Sequence, residues 1–248
     1  MTASVSVAES DPAAAGPEPL LELSGVRSAY GAIEVLHGVD LALRPGAVVA
    51  LLGPNGGGKT TALKVCSGLQ PVTAGELRLA GRVVNGADAS ELARLGVCSI
   101  PEGRGIFPNL TVRENLWVAT GTGHRLEELE TAAYQRFPRL GERRGQLAGS
   151  MSGGEQQMLA LSRALGTAPT VLLLDELSMG LAPRVVTEMY DIVGQLAADG
   201  LSILVAEQFA RAVLPIATSA ALMLQGRVVR SGDPREIDRE LSTSYLGG

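Results

Sequence analysis

The chain has 248 residues, 46% hydrophobic and 19% charged, with a formal net charge of −5: a globular balance, enough for one large or two small domains, and opposed to bulk attraction for nucleic acid. Its longest nearly apolar stretch, residues 212–224, is broken by Pro215, Thr218 and Ser219 and falls short of the ~20 residues a bilayer span needs. No Lys or Arg precedes Arg27, and Cys66 and Cys98 form no ligand-spaced pair, so the secreted, integral-membrane and disulfide-scaffold classes are not expected.

Residues 1–19 are small, acidic and proline-bearing and read as a disordered tail. Strand patterns follow at 20–26 and at 35–43, the second around a His37-Gly38 break. Residues 48–52 form a dense apolar run of the kind found in buried parallel strands. A glycine loop and a helix to about Leu69 come next, then strands at 76–84 and 97–100. From Thr111 to Leu165 the chain reads as helical, with Thr111-Val112-Arg113-Glu114 spaced as a capping box. Alternation resumes with strand 171–174, helix 184–198, strand 201–206, helix 208–213 and strand 220–224, turned by Gln225-Gly226 into 227–229. There is no internal repeat. Strand–helix alternation on both sides of a helical insert predicts an α/β parallel-sheet core carrying a helical subdomain.

Three segments carry chemistry. Gly53-Pro54-Asn55-Gly56-Gly57-Gly58-Lys59-Thr60 fits the phosphate-binding loop G-x-x-x-x-G-K-[ST], and it lies between a buried strand and a helix, as that motif requires. Its glycines let backbone N–H groups wrap a phosphate chain, and the helix adds its positive end. Lys59 is expected at the β- and γ-phosphates and Thr60 on Mg²⁺. The second segment is the apolar strand 171–174 ending in Asp175-Glu176, which places two carboxylates at the C-terminal edge of the sheet, where parallel-sheet sites lie. A solvated strand end is the plainer reading of that pair alone. Beside a phosphate loop, Asp175 becomes a Mg²⁺ holder and Glu176 the group that polarises water. The third is Met151-Ser152-Gly153-Gly154-Glu155-Gln156, a helix start in which Ser152 and Glu155 have capping-box spacing and the double glycine leaves room for a phosphate.

From Leu20 to the C-terminus the sequence resembles the ATP-binding-cassette ATPases. The resemblance implies a P-loop NTPase (RecA-like) parallel-sheet core with an antiparallel β portion and an inserted helical subdomain. The core spans about 20–100 and 166–248, and the subdomain about 101–165. In that family two modules close head to tail over two ATP molecules. Ser152, Gly153 and Gly154, with Glu155, would then meet the nucleotide held by the partner, while Thr61 joins the phosphate-binding set. Tyr30 matches the aromatic that stacks on adenine; a core tyrosine is the plainer alternative. Ser178-Met179-Gly180-Leu181 matches the loop joining the two sites. Within the family the likeness is to the second of the paired ATPases of branched-chain amino-acid importers. It is carried by Ile100-Pro101-Glu102-Gly103-Arg104-Gly105-Ile106-Phe107, residues 111–116, Phe137-Pro138-Arg139-Leu140, residues 151–159, Gly180-Leu181-Ala182-Pro183 and the terminal Tyr245-Leu246-Gly247-Gly248. Urea and short-amide importers share much of that pattern.

Three positions depart from the general family. Glu102 stands where most members carry a glutamine on Mg²⁺. Gln208 stands for a histidine at the γ-phosphate; its amide donates a hydrogen bond but carries no proton. Leu177 replaces a proline, which predicts a looser turn after Glu176. His37 and His124 have no metal-ligand neighbours at helical spacing. The runs 127–130 and Arg143-Arg144 read as solvated faces, and Trp117 as helix core rather than interface. The resemblance implies an ATP hydrolase using Mg²⁺, peripheral on the cytoplasmic face of the cell membrane. Its partners would be two transmembrane permease subunits, a second cassette (a paralogue, or a copy of itself) and, indirectly, a solute-binding protein. A soluble cassette ATPase acting on nucleic acid or the ribosome is the competing class, and the acidic balance opposes it.

Overall fold

The computed structural model describes residues 18–246 except Arg104 and His124; the expected N-terminal tail falls almost wholly outside them, as do His124 and the terminal glycine pair. Among the described residues, ten strands form two sheets. The antiparallel sheet has the order β2-β1-β4-β5, from β1 (Leu21–Tyr30), β2 (Ile33–Leu43), β4 (Ala74–Leu79) and β5 (Arg82–Val83). The larger sheet, β10-β9-β3-β8-β7-β6, is parallel from β9 to β6 and antiparallel at its β10 edge. It contains β3 (Val48–Leu52), β6 (Val97–Ile100), β7 (Val171–Asp175), β8 (Ser202–Glu207), β9 (Ser219–Leu224) and β10 (Arg227–Gly232).

The unbroken apolar runs of β3, β7 and β8 arise because both faces of this sheet are covered. Val48, Ala50, Leu52, Leu172, Leu174, Ile203 and Val205 face one core, against the helical insert. The alternate residues Val49, Leu51, Val171, Leu173, Leu204 and Ala206 face the other, against the antiparallel sheet. That second core also receives Ala62, Leu63, Val65 and Cys66 of α1 (Lys59–Cys66). The insert between β6 and β7 holds α3 (Val112–Val118), α4 (Leu126–Arg136), α5 (Pro138–Glu142) and α6 (Gly153–Leu165); α2 (Ala89–Arg94) precedes β6. Then come α7 (Pro183–Ala198), α8 (Ala210–Val213) and α9 (Pro234–Leu246). Among the described residues no helix is long and apolar enough to cross a membrane.

Several local expectations change. His37-Gly38 does not break β2: pairing passes from Val26↔Val39 to Arg27↔His37, so Gly38 is absorbed as a bulge. Residues 76–84 are a hairpin instead of one strand, because Ala80 and Gly81 both take positive φ. The first helix stops at Cys66, with Gly68 left-handed at φ 72°. Residues 111–165 are four helices with breaks between them, and the α3 capping box forms as spaced, Thr111 N donating to Glu114 at 2.7 Å. Trp117 is 62% exposed and lies outside the core. Arg143 and Glu130 are not simply solvated. Arg143 pairs with the buried Glu155 at 3.2 Å, and Glu130 accepts from Arg113 at 3.1 Å and Tyr134 at 2.9 Å.

Candidate functional site

The C-terminal ends of β3, β7 and β8 release Gly53, Glu176 and Gln208 onto one edge of the parallel sheet. A cleft of about 380 Å³ opens there, lined by Val35, residues 55–61, Glu102, Glu176 and Met179. The helix α1 that begins in this loop has no side-chain cap and no acidic residue in its first turn. Its amides and positive end are therefore left for an anion. Loop glycine is also a packing requirement: a Cβ on Gly53 would sit 2.2 Å from the Met223 carbonyl oxygen of β9.

Lys59 is buried beneath the loop. Its Nζ donates to the carbonyls of Gly53 (2.8 Å) and Pro54 (3.1 Å) and pairs with Glu176 Oε1 at 3.2 Å. Thr60 Oγ1 donates to Asp175 Oδ1 at 3.2 Å. Burial pushes the Asp175 carboxyl above its ordinary range; the Thr60 bond opposes this, and the Glu176 and Glu102 charges add to it. Three carboxylates thus converge beside one lysine. Thr60, Asp175 and Glu102 offer the hard oxygen donors that Mg²⁺ prefers, and no set of three His, Cys, Asp or Glu among the described residues could cage a metal unaided.

Glu176 itself is left-handed, φ 52°, an uncommon conformation for a side-chain-bearing residue. The turn it opens is not loosened by Leu177. That side chain is 1% exposed in the core, Glu176 N donates to Ala206 O at 2.9 Å, and Ser178 N donates to Glu207 Oε1 at 2.9 Å.

The remaining expected residues lie apart from the cleft lining. Tyr30, at the end of β1, is 44% exposed with the Lys64 ammonium 6.0 Å from its ring centre. Gln208 is exposed just past β8. Ser152, Gly153, Gly154 and Glu155 start α6 and do not line the cleft. There the capping box forms, Ser152 Oγ donating to Glu155 Oε2 at 2.7 Å and Ser152 N at 2.9 Å. Burial works against ionisation of Glu155, yet its Ser152 bonds and the Arg143 charge hold its carboxyl below the ordinary range. Gly154 also has a packing reason to be glycine: it is buried, and a Cβ would sit 2.6 Å from Val185 Cγ1 of α7. Sequence reasoning missed Val35 in the cleft lining and Glu207 behind it; neither carries a local motif.

The ABC transporter family profile matches residues 36–178. The high-affinity branched-chain amino acid transport ATP-binding protein BraG of Pseudomonas aeruginosa is 38% identical over 92% of this chain and 100% of its own length. A probable branched-chain amino acid transport ATP-binding protein, LivF of Archaeoglobus fulgidus, is 34% identical over 88% of this chain and 94% of its own. Among solved structures, a dimeric ATP-binding cassette in a post-hydrolysis state with ADP and Pi superimposes at TM-score 0.78. It is 22% identical and covers 87% of this chain and 99% of that one, a likeness of fold.

Proposed function

The chain belongs to the ABC transporter ATPases, and from that premise we propose that it powers an importer of branched-chain amino acids, working on separate permease chains from the cytoplasmic face of the membrane. The observation that carries the reading is the division of the site. Lys59, Thr60, Asp175 and Glu176 meet in one cleft, while the Ser152–Glu155 helix start presents its exposed cap elsewhere. Each chain therefore offers one half of a site to a second cassette, a paralogue or another copy.

In this reading the triphosphate lies along residues 55–61, and Lys59 leaves the Gly53 and Pro54 carbonyls for the β- and γ-phosphate oxygens. Thr60, Asp175 and Glu102 would hold Mg²⁺, which when bound neutralises phosphate charge. Glu176 accepts a proton from the attacking water. Gln208 donates an amide hydrogen bond to the γ-phosphate without moving a proton. Tyr30 stacks on adenine, and Thr61 supplies a loop amide. Ser152, Gly153 and Gly154, held by Glu155, close on the nucleotide of the partner through the N-terminus of α6. Closure on ATP and reopening after hydrolysis drive two permease subunits, fed by a solute-binding protein.

The test is reconstitution with the permease pair and second cassette into vesicles, followed by ATP-dependent accumulation of labelled leucine. Leucine uptake is the expected result. Uptake of urea or short amides in its place would move the assignment to those importers. Association with nucleic acid or ribosomes and no membrane chain would overturn the importer reading and leave the ATPase.

A further inference from the structure

Behind the cleft lies a carboxylate that the hydrolysis scheme does not use. Glu207, the last residue of β8, is 0% exposed, and no ion pair reaches it among the described residues. An unpaired charge is costly to bury unless several donors satisfy it. Glu207 has three. Oε1 accepts from Ser178 N at 2.9 Å and from the Tyr190 hydroxyl, and Oε2 accepts from Ser178 Oγ at 2.9 Å. Burial first, and then the Glu207 charge, push the Tyr190 hydroxyl well above its ordinary pKa, so it stays a donor. The Glu207 carbonyl also accepts from Gly53 N at 3.3 Å, where the phosphate loop begins.

The five residues before it in β8 are all buried, so Glu207 closes a buried strand and not a solvated end. The acceptors are what a carboxylate adds, and they converge on the turn that keeps Glu176 at φ 52°. Glu207 is also the chain neighbour of Gln208. We propose that Glu207 is a positioning residue: its buried carboxylate locks the Glu176–Met179 turn to the strand end that carries Gln208, so that the two groups facing the γ-phosphate are set as one unit. The proposal rests on the ATPase reading for its kinetic consequence, while the structural link is measurable without turnover.

The experiment uses the full-length chain with Glu207→Ala, Glu207→Gln, Ser178→Ala and Tyr190→Phe, read by hydrogen exchange over residues 176–181, ATP affinity and phosphate release. In Glu207→Ala the segment should lose protection and kcat fall at least tenfold, with the Kd for ATP within about twofold of wild type. Glu207→Gln keeps an acceptor for Ser178 N and should restore most of both. Ser178→Ala and Tyr190→Phe each remove one donor and should give smaller changes of the same kind, which keeps the test open if Glu207→Ala does not fold. Unchanged exchange and unchanged kcat in the folded variants overturn the proposal, and so does a loss of ATP affinity in proportion to kcat. If wild type releases no phosphate, the ATPase reading fails and hydrogen exchange alone decides the lock.

Discussion

Replacing Glu176 with glutamine tests the cleft on two counts, because Glu176 has two partners to lose. The first, in the proposed mechanism, is the attacking water. Losing a positioned general base slows proton transfer by about 10²–10⁴, or roughly 3–5.5 kcal/mol of barrier. The second is Lys59, 3.2 Å away and buried. At that distance the attraction is about 5 kcal/mol at an effective dielectric constant of about 20. Desolvation cancels much of it, leaving about 1.5–3 kcal/mol, as for a hydrogen bond between charged groups. Incoming phosphate must compete with that contact for the ammonium. Glu176→Gln should therefore bind ATP about ten- to a hundredfold tighter while hardly turning over. Without nucleotide it should melt lower than wild type, since the glutamine amide oxygen can still accept from Lys59 but the buried ammonium loses its counter-charge. Calorimetric titration with Mg-ATP, phosphate release and thermal melts with and without ATP read the three effects. Full turnover removes Glu176 as the base; weaker ATP binding refutes the competition for Lys59.

Lys59→Ala removes the cation proposed to meet the phosphates and should raise the Kd for ATP at least tenfold by the same calorimetry. Gly53→Ala places a methyl 2.2 Å from the Met223 carbonyl and should cost more than about 2 kcal/mol in denaturant unfolding while displacing the loop. Ser152→Ala loses the α6 cap, about 1 kcal/mol of stability, and should abolish the ATP-driven dimer seen by light scattering in the Glu176→Gln background. Asp175→Asn removes a buried negative charge that faces two others, so the nucleotide-free protein should melt about 2–4 °C higher at neutral pH for each kcal/mol relieved, yet lose Mg²⁺-dependent turnover. The folded-state pKa of Asp175 lies above the ordinary 3.8, so the stability cost sets in as pH rises above that value and is complete once pH passes the folded-state pKa. The gain from asparagine should vanish below the ordinary value; an equal gain at every pH would show that the effect is not electrostatic.

What was legible in the sequence was whatever local spacing encodes. The phosphate loop and the capping boxes at Thr111 and Ser152 need only neighbours three to six residues away, and β3, β7 and β8 announce their double burial by unbroken apolar runs. The α2 box, Asp88 to Glu91, was equally local yet passed unread, because its helix buries one apolar side chain, Leu92, and shows no periodicity. The β4–β5 hairpin was hidden because Ala80 is an unremarkable residue holding an uncommon φ of 47°. Long-range contacts left no trace at all. Nothing near Gly154 foretells Val185, and nothing near Glu207 foretells Ser178 or Tyr190. A lone glutamate closing an apolar strand looks like a solvated end until the fold buries it.

Leu177 shows how such contacts overrule a local rule. Proline at this position would fix its own φ and restrict the residue before it, but here the left-handed angle of Glu176 is held without the ring. Holding a residue with a side chain in the left-handed region costs roughly 1–2 kcal/mol. Full burial of a leucine contributes about 1.5–3 kcal/mol, and Leu177 can occupy its core position only if the chain turns at Glu176. The Glu176 amide is bound by Ala206 and the Ser178 amide by Glu207, so the strained residue is held on both sides of the buried leucine. The proline-free turn is therefore fixed by packing and by two hydrogen bonds to β8. The rigidity that the ring would contribute locally is drawn instead from the strand whose end leads into Gln208, which ties the geometry at Glu176 to the element proposed to face the γ-phosphate.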